Sequence, residues 1–126
     1  MWVENLSLGK KGEEAAVPFL KENGYKILYR NYKSKLGEID IIAQDKDTIC
    51  FVEVKTRRDN KFGLPSEAVD KFKQRQITKT ALVFLKEKKL LDKKARFDVV
   101  AAICSKDELK FSLIKNAFEL DISFSY

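Results

Sequence analysis

The sequence contains no histidine. Without an imidazole, Ser-His-Asp catalysis, Cys-His catalysis and a histidine general base are all excluded. The nitrogen ligand that most transition-metal sites use is missing as well, which leaves carboxylates, and carboxylates favour Mg²⁺ or Mn²⁺. A catalytic metal site in this chain is therefore expected to rely on Asp and Glu.

Cysteines and long apolar runs are also scarce. Cys50 and Cys104 each lie in an apolar run, which predicts buried reduced thiols, and two cysteines without histidine make a poor zinc site. No apolar run approaches the length of a membrane span, and Met1–Lys11 lacks the pattern of a secretory signal. We predict a cytoplasmic protein with no membrane partner.

Length and charge bound the remaining choices. The 126 residues suit a single domain, 1–126, which can bury enough apolar surface to fold without disulfides. Lys and Arg number 25 against 19 Asp and Glu. The resulting net charge of +6 agrees with a nucleic-acid partner but does not establish one.

The chain pattern predicts an α/β fold. Ser7 is expected to cap a first helix that runs to about Asn23 and ends at Gly24, with Pro18 kinking it or dividing it in two. A second helix is expected from a cap at Ser66 to about Leu90. Strands are predicted at residues 25–33, 38–45, 48–57, 97–103 and 109–114, with a short helix as an option for 116–126.

These elements give the order αβββαβ with one extra strand. The first three strands should form an antiparallel meander, and the second helix should cross over to make the fourth strand parallel to its partner. The predicted architecture is therefore a mixed sheet flanked by helices. The residues predicted for the buried side of the second helix are Val69, Phe72, Ile77, Ala81, Phe84 and Leu85.

The hairpin between the second and third strands contains the candidate catalytic residues. If Lys46 and Asp47 form its turn, Asp40 falls opposite Glu53, and Glu38 falls opposite Lys55. Opposed residues share a face. The other face is predicted to hold core pairs only, namely Ile39 with Val54, Ile41 with Val52, and Ala43 with Cys50.

Two opposed carboxylates repel each other, and a divalent cation is the simplest way to offset that repulsion. Lys55 lies roughly 7 Å along the strand from Glu53 on the same face. It could orient or deprotonate a water, or stabilise charge on a phosphoryl group. Metal, lysine and a basic surface together indicate phosphodiester hydrolysis.

A purely structural interpretation stands beside this one. Glu38 and Lys55 could form only a cross-strand ion pair, and Asp40 could be protonated or accept hydrogen bonds from backbone amides. A one-residue bulge would also change the register. The residues by themselves leave both interpretations open.

Several spaced motifs resemble those of one family. They are Gly9-x-x-Gly12-Glu13-x-x-Ala16, Asn31-Tyr32, Gly37-Glu38-Ile39-Asp40, Phe51 to Arg57, Ala68-Val69, Lys73-Gln74-Arg75, Arg96 to Val100, and Asn116-Ala117-Phe118. In this order they resemble the YraN-like family of predicted endonucleases, which is related to Holliday-junction resolvases in the PD-(D/E)XK nuclease superfamily.

The resemblance implies a restriction-endonuclease-like fold and a set of site residues. Asp40 and Glu53 would be metal ligands for Mg²⁺ or Mn²⁺, and Lys55 would be the catalytic lysine. By the same resemblance, Glu13 would reach the metal site from the first helix and Gln74 would support it from the second.

Other polar residues fall into two groups. Lys71, Lys73 and Arg75 on the second helix, with Arg57 and Arg58 after the third strand, are the candidates for DNA contact, although a solvated helix face explains the helical ones equally well. Asp98 lies in an apolar strand and is expected to make structural hydrogen bonds.

The leading functional hypothesis is a Mg²⁺- or Mn²⁺-dependent DNA endonuclease that acts on branched or unusual DNA. Resolution of a junction would need two active sites and hence a homodimer, which is an analogy. One alternative is a nucleic-acid-binding accessory module for repair or recombination that does not cleave. Another is a small-molecule phosphoesterase that uses the same metal.

Overall fold

A computed structural model describes residues 7–58, 69–106 and 108–119 of the chain. These residues form the elements α1 (Leu8–Glu22), β1 (Tyr25–Ser34), β2 (Gly37–Asp45), β3 (Thr48–Arg57), α2 (Lys71–Glu87), β4 (Lys94–Ser105) and β5 (Glu108–Phe118). The predicted αβββαβ order with one extra strand is confirmed. Ser66 lies outside the described residues, but the N-cap of α2 is Asp70, so the expectation of a helix that begins at Ser66 is wrong. Residues 120–126 also lie outside the described residues, and the option of a helix there stays a prediction.

The strands form one mixed sheet in the order β1-β2-β3-β4-β5. The first three strands are an antiparallel meander, β4 runs parallel to β3 after the crossover through α2, and β5 is antiparallel to β4. Ala16 and Leu20 of α1 pack in a cluster on one side of the sheet, and Phe84 and Leu85 of α2 pack in a cluster on the other. The predicted α/β architecture is therefore confirmed.

Helix α1 begins and ends at the predicted caps. The Ser7 hydroxyl accepts the N–H of Lys10 at 3.1 Å, and Asn23 is the C-cap. Gly24 has a φ of +88°, the left-handed conformation that glycine adopts without steric cost.

Pro18 does not divide this helix, which continues to Glu22, so the expectation of two shorter helices is wrong. Proline removes one helical hydrogen bond, at a cost of about 3 kcal/mol. Its ring is exposed, while Ala16 and Leu20 on the opposite side are fully buried against the sheet. Burial of that side offsets the lost hydrogen bond.

Helix α2 begins at Lys71, with Asp70 as the N-cap that accepts the N–H of Lys73 at 2.8 Å. Of the six side chains predicted to be buried, five are, and Phe72 is the exception with 69% of its surface exposed. At about 100° per residue, Phe72 lies about 180° around the helix from the buried Ala81. It therefore points away from the sheet.

Strand β5 is longer than predicted, because it continues through Asn116 to Phe118. The option of a helix is thus wrong for residues 116–118. Asn116 has a φ of 54°, and its N–H donates to Asp98 Oδ1 at 2.9 Å. Beyond this irregularity the pairing resumes, and Phe118 stacks on Phe97 with a centroid distance of 4.7 Å.

The predicted hairpin register is confirmed from Asp45–Thr48 to Ile41–Val52, where the ladder between β2 and β3 ends. The predicted opposed pairs Asp40–Glu53 and Glu38–Lys55 are therefore not part of the ladder, which corrects that expectation. Beyond Ile41, β2 pairs only with β1 and β3 pairs only with β4 in the described structure. The two central strands separate at Asp40.

An irregularity in β1 lies opposite the same point. Asn31 has a φ of 53°, and the pairs Arg30–Ile41 and Tyr32–Ile39 flank it. The alternation of faces changes there, so Ile39 packs on the α2 side of the sheet. Val54 packs on the α1 side, so the predicted Ile39–Val54 face is wrong.

Candidate active site

The side chain of Asp40 lies where β2 and β3 separate. Its Oδ2 atom accepts the backbone N–H of Val54 at 2.8 Å. A carboxylate thus takes the place of a ladder hydrogen bond, which satisfies a buried donor on β3. This contact is one of the structural roles that the sequence left open for Asp40, and it also fixes the orientation of the carboxylate.

The protonation of Asp40 is set by its surroundings. Burial, followed by the charge of the neighbouring Glu53, raises the pKa of Asp40 to about 7. The hydrogen bond from Val54 and the charge of Lys73 lower the pKa. Near neutral pH this carboxyl therefore exchanges readily between its acid and its carboxylate form.

Glu53 is almost fully buried, with 4% of its surface exposed. Its Oε2 atom lies 3.8 Å from Lys55 Nζ and 3.5 Å from Lys73 Nζ. Its Oε1 atom is buried without a hydrogen-bond partner in the part of the chain that the structure describes. One oxygen is thus balanced by two ammonium groups, and the other is an acceptor with unused capacity.

Lys73 belongs to this site, although its sequence position suggested only a DNA contact. The angular position of Lys73 around α2 is the sequence feature that could have identified it as a site residue. At about 100° per residue, Lys73 lies about 20° from the direction of the buried Phe84, and so on the sheet side of the helix. Its neighbour Phe72 points outward from the same turn.

Glu13 approaches the site from α1. Burial raises the pKa of Glu13, and the charge of Asp40 raises the pKa in the same direction. The two carboxylates therefore interact electrostatically. The approach depends on Gly12, since a Cβ there would lie only 1.9 Å from Thr56 Oγ1 on β3. Glycine therefore lets α1 contact β3 next to the site.

The remaining predicted residues are less closely associated with these carboxylates. Gln74 donates its side-chain amide to the carbonyl of Val69 at 2.8 Å, so it holds the start of α2. Glu38, Arg58, Lys71 and Arg75 are exposed, and Arg57 is half-buried. Within residues 7–58, 69–106 and 108–119, no three acidic side chains converge into a group that could hold a metal ion.

Asp40 and Glu53 nevertheless fit a hard divalent cation in their chemistry. They supply carboxylate oxygens, the donors that Mg²⁺ and Mn²⁺ prefer. Glu53 Oε1 has no protein partner among the described residues, and the raised pKa of Asp40 means that a bound cation would compete with a proton there. The pair therefore suits a cation that completes its shell with water or with substrate oxygens.

A second buried polar cluster, centred on Asp98, serves the fold. Asp98 accepts hydrogen bonds from Tyr25 Oη at 2.6 Å, from Arg96 Nε at 3.0 Å, and from the N–H of Asn116 at 2.9 Å. Its side chain is fully buried. The predicted structural role of Asp98 is confirmed.

Fold and site together define an α/β protein in which the half-buried Asp40, the buried Glu53 and two lysines lie where the central strands separate. The family model described as Uncharacterised protein family UPF0102 matches residues 12–102, and the chain belongs to this family. The predicted family is thereby confirmed, whereas its relation to the PD-(D/E)XK nuclease superfamily stays a prediction.

Relatives in this family match along most of their length. The chain is 52% identical over 117 residues to a UPF0102 protein of Syntrophus aciditrophicus, covering 93% of this chain and 92% of the relative. It is 54% identical over 119 residues to one of Geotalea uraniireducens, covering 93% of each.

Among solved structures, the chain is similar to one described as an EndoMS–dsDNA complex. The TM-score is 0.47 at 24% identity, over 80% of this chain and 39% of that longer one.

No helix in the described part of the present structure is long and apolar enough to cross a membrane.

Proposed function

We propose that this protein is a metal-dependent endonuclease that hydrolyses phosphodiester bonds in DNA. The observation that carries the proposal is the buried Glu53, which lies beside Asp40 and within 4 Å of two lysine ammonium groups at the open end of the central hairpin. A purely structural role gains little from a half-buried carboxylate beside a buried one that has an unused acceptor oxygen, because each feature destabilises the fold.

In this proposal, Asp40 and Glu53 hold Mg²⁺ or Mn²⁺, with Glu13 available from α1. The bound cation would polarise the phosphate and lower the pKa of a water. The protein supplies the orientation, because the N–H of Val54 fixes the carboxylate of Asp40.

In this proposal, Lys55 is the catalytic lysine. Its side chain is 34% exposed, so the ammonium group can leave Glu53 and contact a phosphate oxygen. There it would stabilise the negative charge that develops in the transition state. Lys73 can do the same from α2, where its side chain is 42% exposed.

The net charge of +6 and the cations of α2 support a polyanionic substrate. The candidate DNA contacts are Lys71, Lys73 and Arg75 on α2, together with Arg57 at the end of β3 and Arg58 directly after it. A homodimer would supply the second active site that junction cleavage requires.

The alternative is a DNA-binding accessory protein that does not cleave. One observation favours it, namely that the described residues contain no group of three acidic side chains able to hold a metal ion. In that case the two lysines would serve only to neutralise Glu53.

A cleavage assay separates the two functions. Supercoiled plasmid, linear duplex, single strand, flap and four-way junction would each be incubated with Mg²⁺, Mn²⁺ or EDTA. We expect cleavage that requires metal and is lost in Glu53→Gln, which keeps the size of the side chain and removes its charge. The matched control is Glu108→Gln, which changes an exposed glutamate at the start of β5.

Loss of cleavage in Glu53→Gln with full activity in Glu108→Gln would establish the nuclease. Cleavage that survives Glu53→Gln would assign the activity to a contaminant and contradict the proposal. DNA binding without cleavage under every metal would favour the accessory protein.

A further inference from the structure

The outer side of α2 combines one exposed aromatic ring with two cations. Phe72 is 69% exposed, more than any other large apolar side chain in the described structure. At about 100° per residue, Arg75 and Lys79 lie within about 60° of it on the same side of the helix. This outer side is the surface that faces away from the sheet.

The position of Phe72 connects this surface to the candidate active site. Its neighbour Lys73 places its ammonium group 3.5 Å from Glu53 Oε2, and consecutive Cα atoms are about 3.8 Å apart. Phe72 is therefore the immediate neighbour of a cation of the site and lies on the same turn, while its ring points away from the sheet.

Burial does not explain a phenylalanine at this position. An exposed ring loses the free energy of about 25 cal/mol per Å² that burial would give. The first turn of α2 carries no acidic residue, and the N-cap Asp70 is engaged by the N–H of Lys73. Cations on the same turns would attract a polyanion, and an aromatic face would then contact its bases.

We propose that Phe72 stacks on an unpaired base of DNA whose phosphate backbone lies at the Asp40–Glu53 site. This inference rests on the proposed function and adds the class of substrate, namely DNA with single-stranded character such as a fork or a flap. In a continuous duplex each base is already stacked on its neighbours, so its face is not available to the ring. An unpaired base exposes its face and stacks without sequence preference.

The test measures DNA affinity in EDTA, so it does not depend on cleavage. Fluorescence anisotropy would give dissociation constants for a single strand, a forked duplex and a fully paired duplex of equal length. We expect Phe72→Ala to weaken binding to the single strand and the fork roughly 5- to 100-fold, the range for one stacked base. Binding to the paired duplex should change less than about twofold.

Two further variants separate stacking from general surface effects. Phe72→Trp should restore the affinity, because it keeps an aromatic face, whereas Phe72→Leu should not. The matched control is Leu91→Ala, which removes an apolar side chain that is 61% exposed in the loop after α2, and it should bind like the wild type. Thermal melts of all variants check the fold, which an exposed side chain should hardly affect.

Salt dependence distinguishes the ring from the cations. Phe72→Ala should leave the slope of log affinity against log salt unchanged, whereas Lys71→Ala should reduce the slope by about one phosphate contact. Tryptophan emission of Phe72→Trp should be quenched by a single strand and less by the same strand with abasic positions, after subtraction of the Trp2 signal of the wild type.

An equal loss on paired and unpaired DNA would overturn the proposal, as would no loss in Phe72→Ala or no DNA binding by the wild type. A selective loss on unpaired DNA, in a protein that does not cleave, would leave the stacking surface established and reject only the nuclease.

Discussion

At the scale of single residues, two opposing effects act on the protonation of the Asp40 carboxyl group. The hydrogen bond from Val54 is stronger when the group is ionised, whereas burial and the neighbouring Glu53 favour the protonated form. The second effect prevails, since the pKa of Asp40 rises from its usual 3.8 to about 7. The metal-free site therefore stores unfavourable electrostatic energy once this proton is lost.

We predict that Asp40→Asn stabilises the metal-free protein at pH 8. The pKa of Asp40 is raised on folding, so ionisation disfavours the folded state, and stability falls as pH rises from about 4 through about 7. Asparagine keeps an oxygen for the Val54 N–H but carries no charge. The expected gain is roughly 1–3 kcal/mol at pH 8 and little at pH 4.

Chemical denaturation in EDTA at both pH values would measure this difference. Asp92→Asn, at an exposed aspartate in the loop after α2, is the control and should show no such pH dependence. A lower stability of Asp40→Asn than of the wild type at pH 8 would reject the argument from repulsion.

The sequence identified Asp40, Glu53 and Lys55 as chemically unusual, because charges in an apolar hairpin are visible without a structure. It did not identify the contact between Lys73 and Glu53, which depends on how α2 is rotated against the sheet. That rotation could have been read from the helical angles of the buried residues, with Phe84 as the reference.

At the scale of elements, the placement of α1 depends on the absence of one side chain. A Cβ on Gly12 would lie 1.9 Å from Thr56 Oγ1 and 3.1 Å from Thr56 Cβ. Both atoms belong to β3, the strand that carries Glu53 and Lys55. The contact between α1 and β3 thus couples the helix that holds Glu13 to the strand at the centre of the site.

We predict that Gly12→Ala destabilises the protein by about 1–3 kcal/mol, although alanine is the better helix former, because the added methyl group forces the helix away from β3. Thermal or urea unfolding would measure the loss. Gly9→Ala is the control on the same helix, since its Cβ would meet Ser7 Oγ only at 4.0 Å, and it should be neutral or slightly stabilising.

A double variant tests the cause. Adding Thr56→Ala to Gly12→Ala removes Oγ1 and should recover part of the lost stability beyond the sum of the single effects. Strict additivity of the two substitutions would show that the contact is not responsible.

At the scale of the whole molecule, one network of polar side chains around the buried Asp98 includes residues from both edge strands of the sheet, β1 and β5. Arg96 on β4 donates to Asp98, to Asp45 on β2 at 2.7 Å, and to Tyr25 on β1 at 3.1 Å. Lys115 on β5 also donates to Asp45, at 3.1 Å. The consecutive strands β1 and β2 are therefore tied to β4 and β5, which lie far along the chain, by a set of charged hydrogen bonds.

We predict that Arg96→Met destabilises the protein by roughly 3–5 kcal/mol, because it leaves the buried Asp98 without its cationic partner. Urea unfolding would measure the change. Lys115→Met removes a cation that is 51% exposed and should cost about 1 kcal/mol or less. Equal effects of the two substitutions would show that the burial of Asp98 does not matter.

The sequence by itself determined the order of the elements, the caps of α1, and the register of the hairpin up to Ile41–Val52. These features follow from local chemistry, namely side-chain periodicity, turn residues and capping groups. It also marked the carboxylates and the lysine of the site, since charged residues in an apolar hairpin stand out.

Only the tertiary structure decided where β2 and β3 separate, because the irregularity at Asn31 and the capture of the Val54 N–H by Asp40 involve neighbours that are remote in sequence. It likewise decided that Lys73 faces Glu53 and that Phe72 faces solvent. The physical reason is that local patterns fix which residues alternate or repeat, whereas the rotation of a helix against a sheet is fixed by packing between distant parts of the chain.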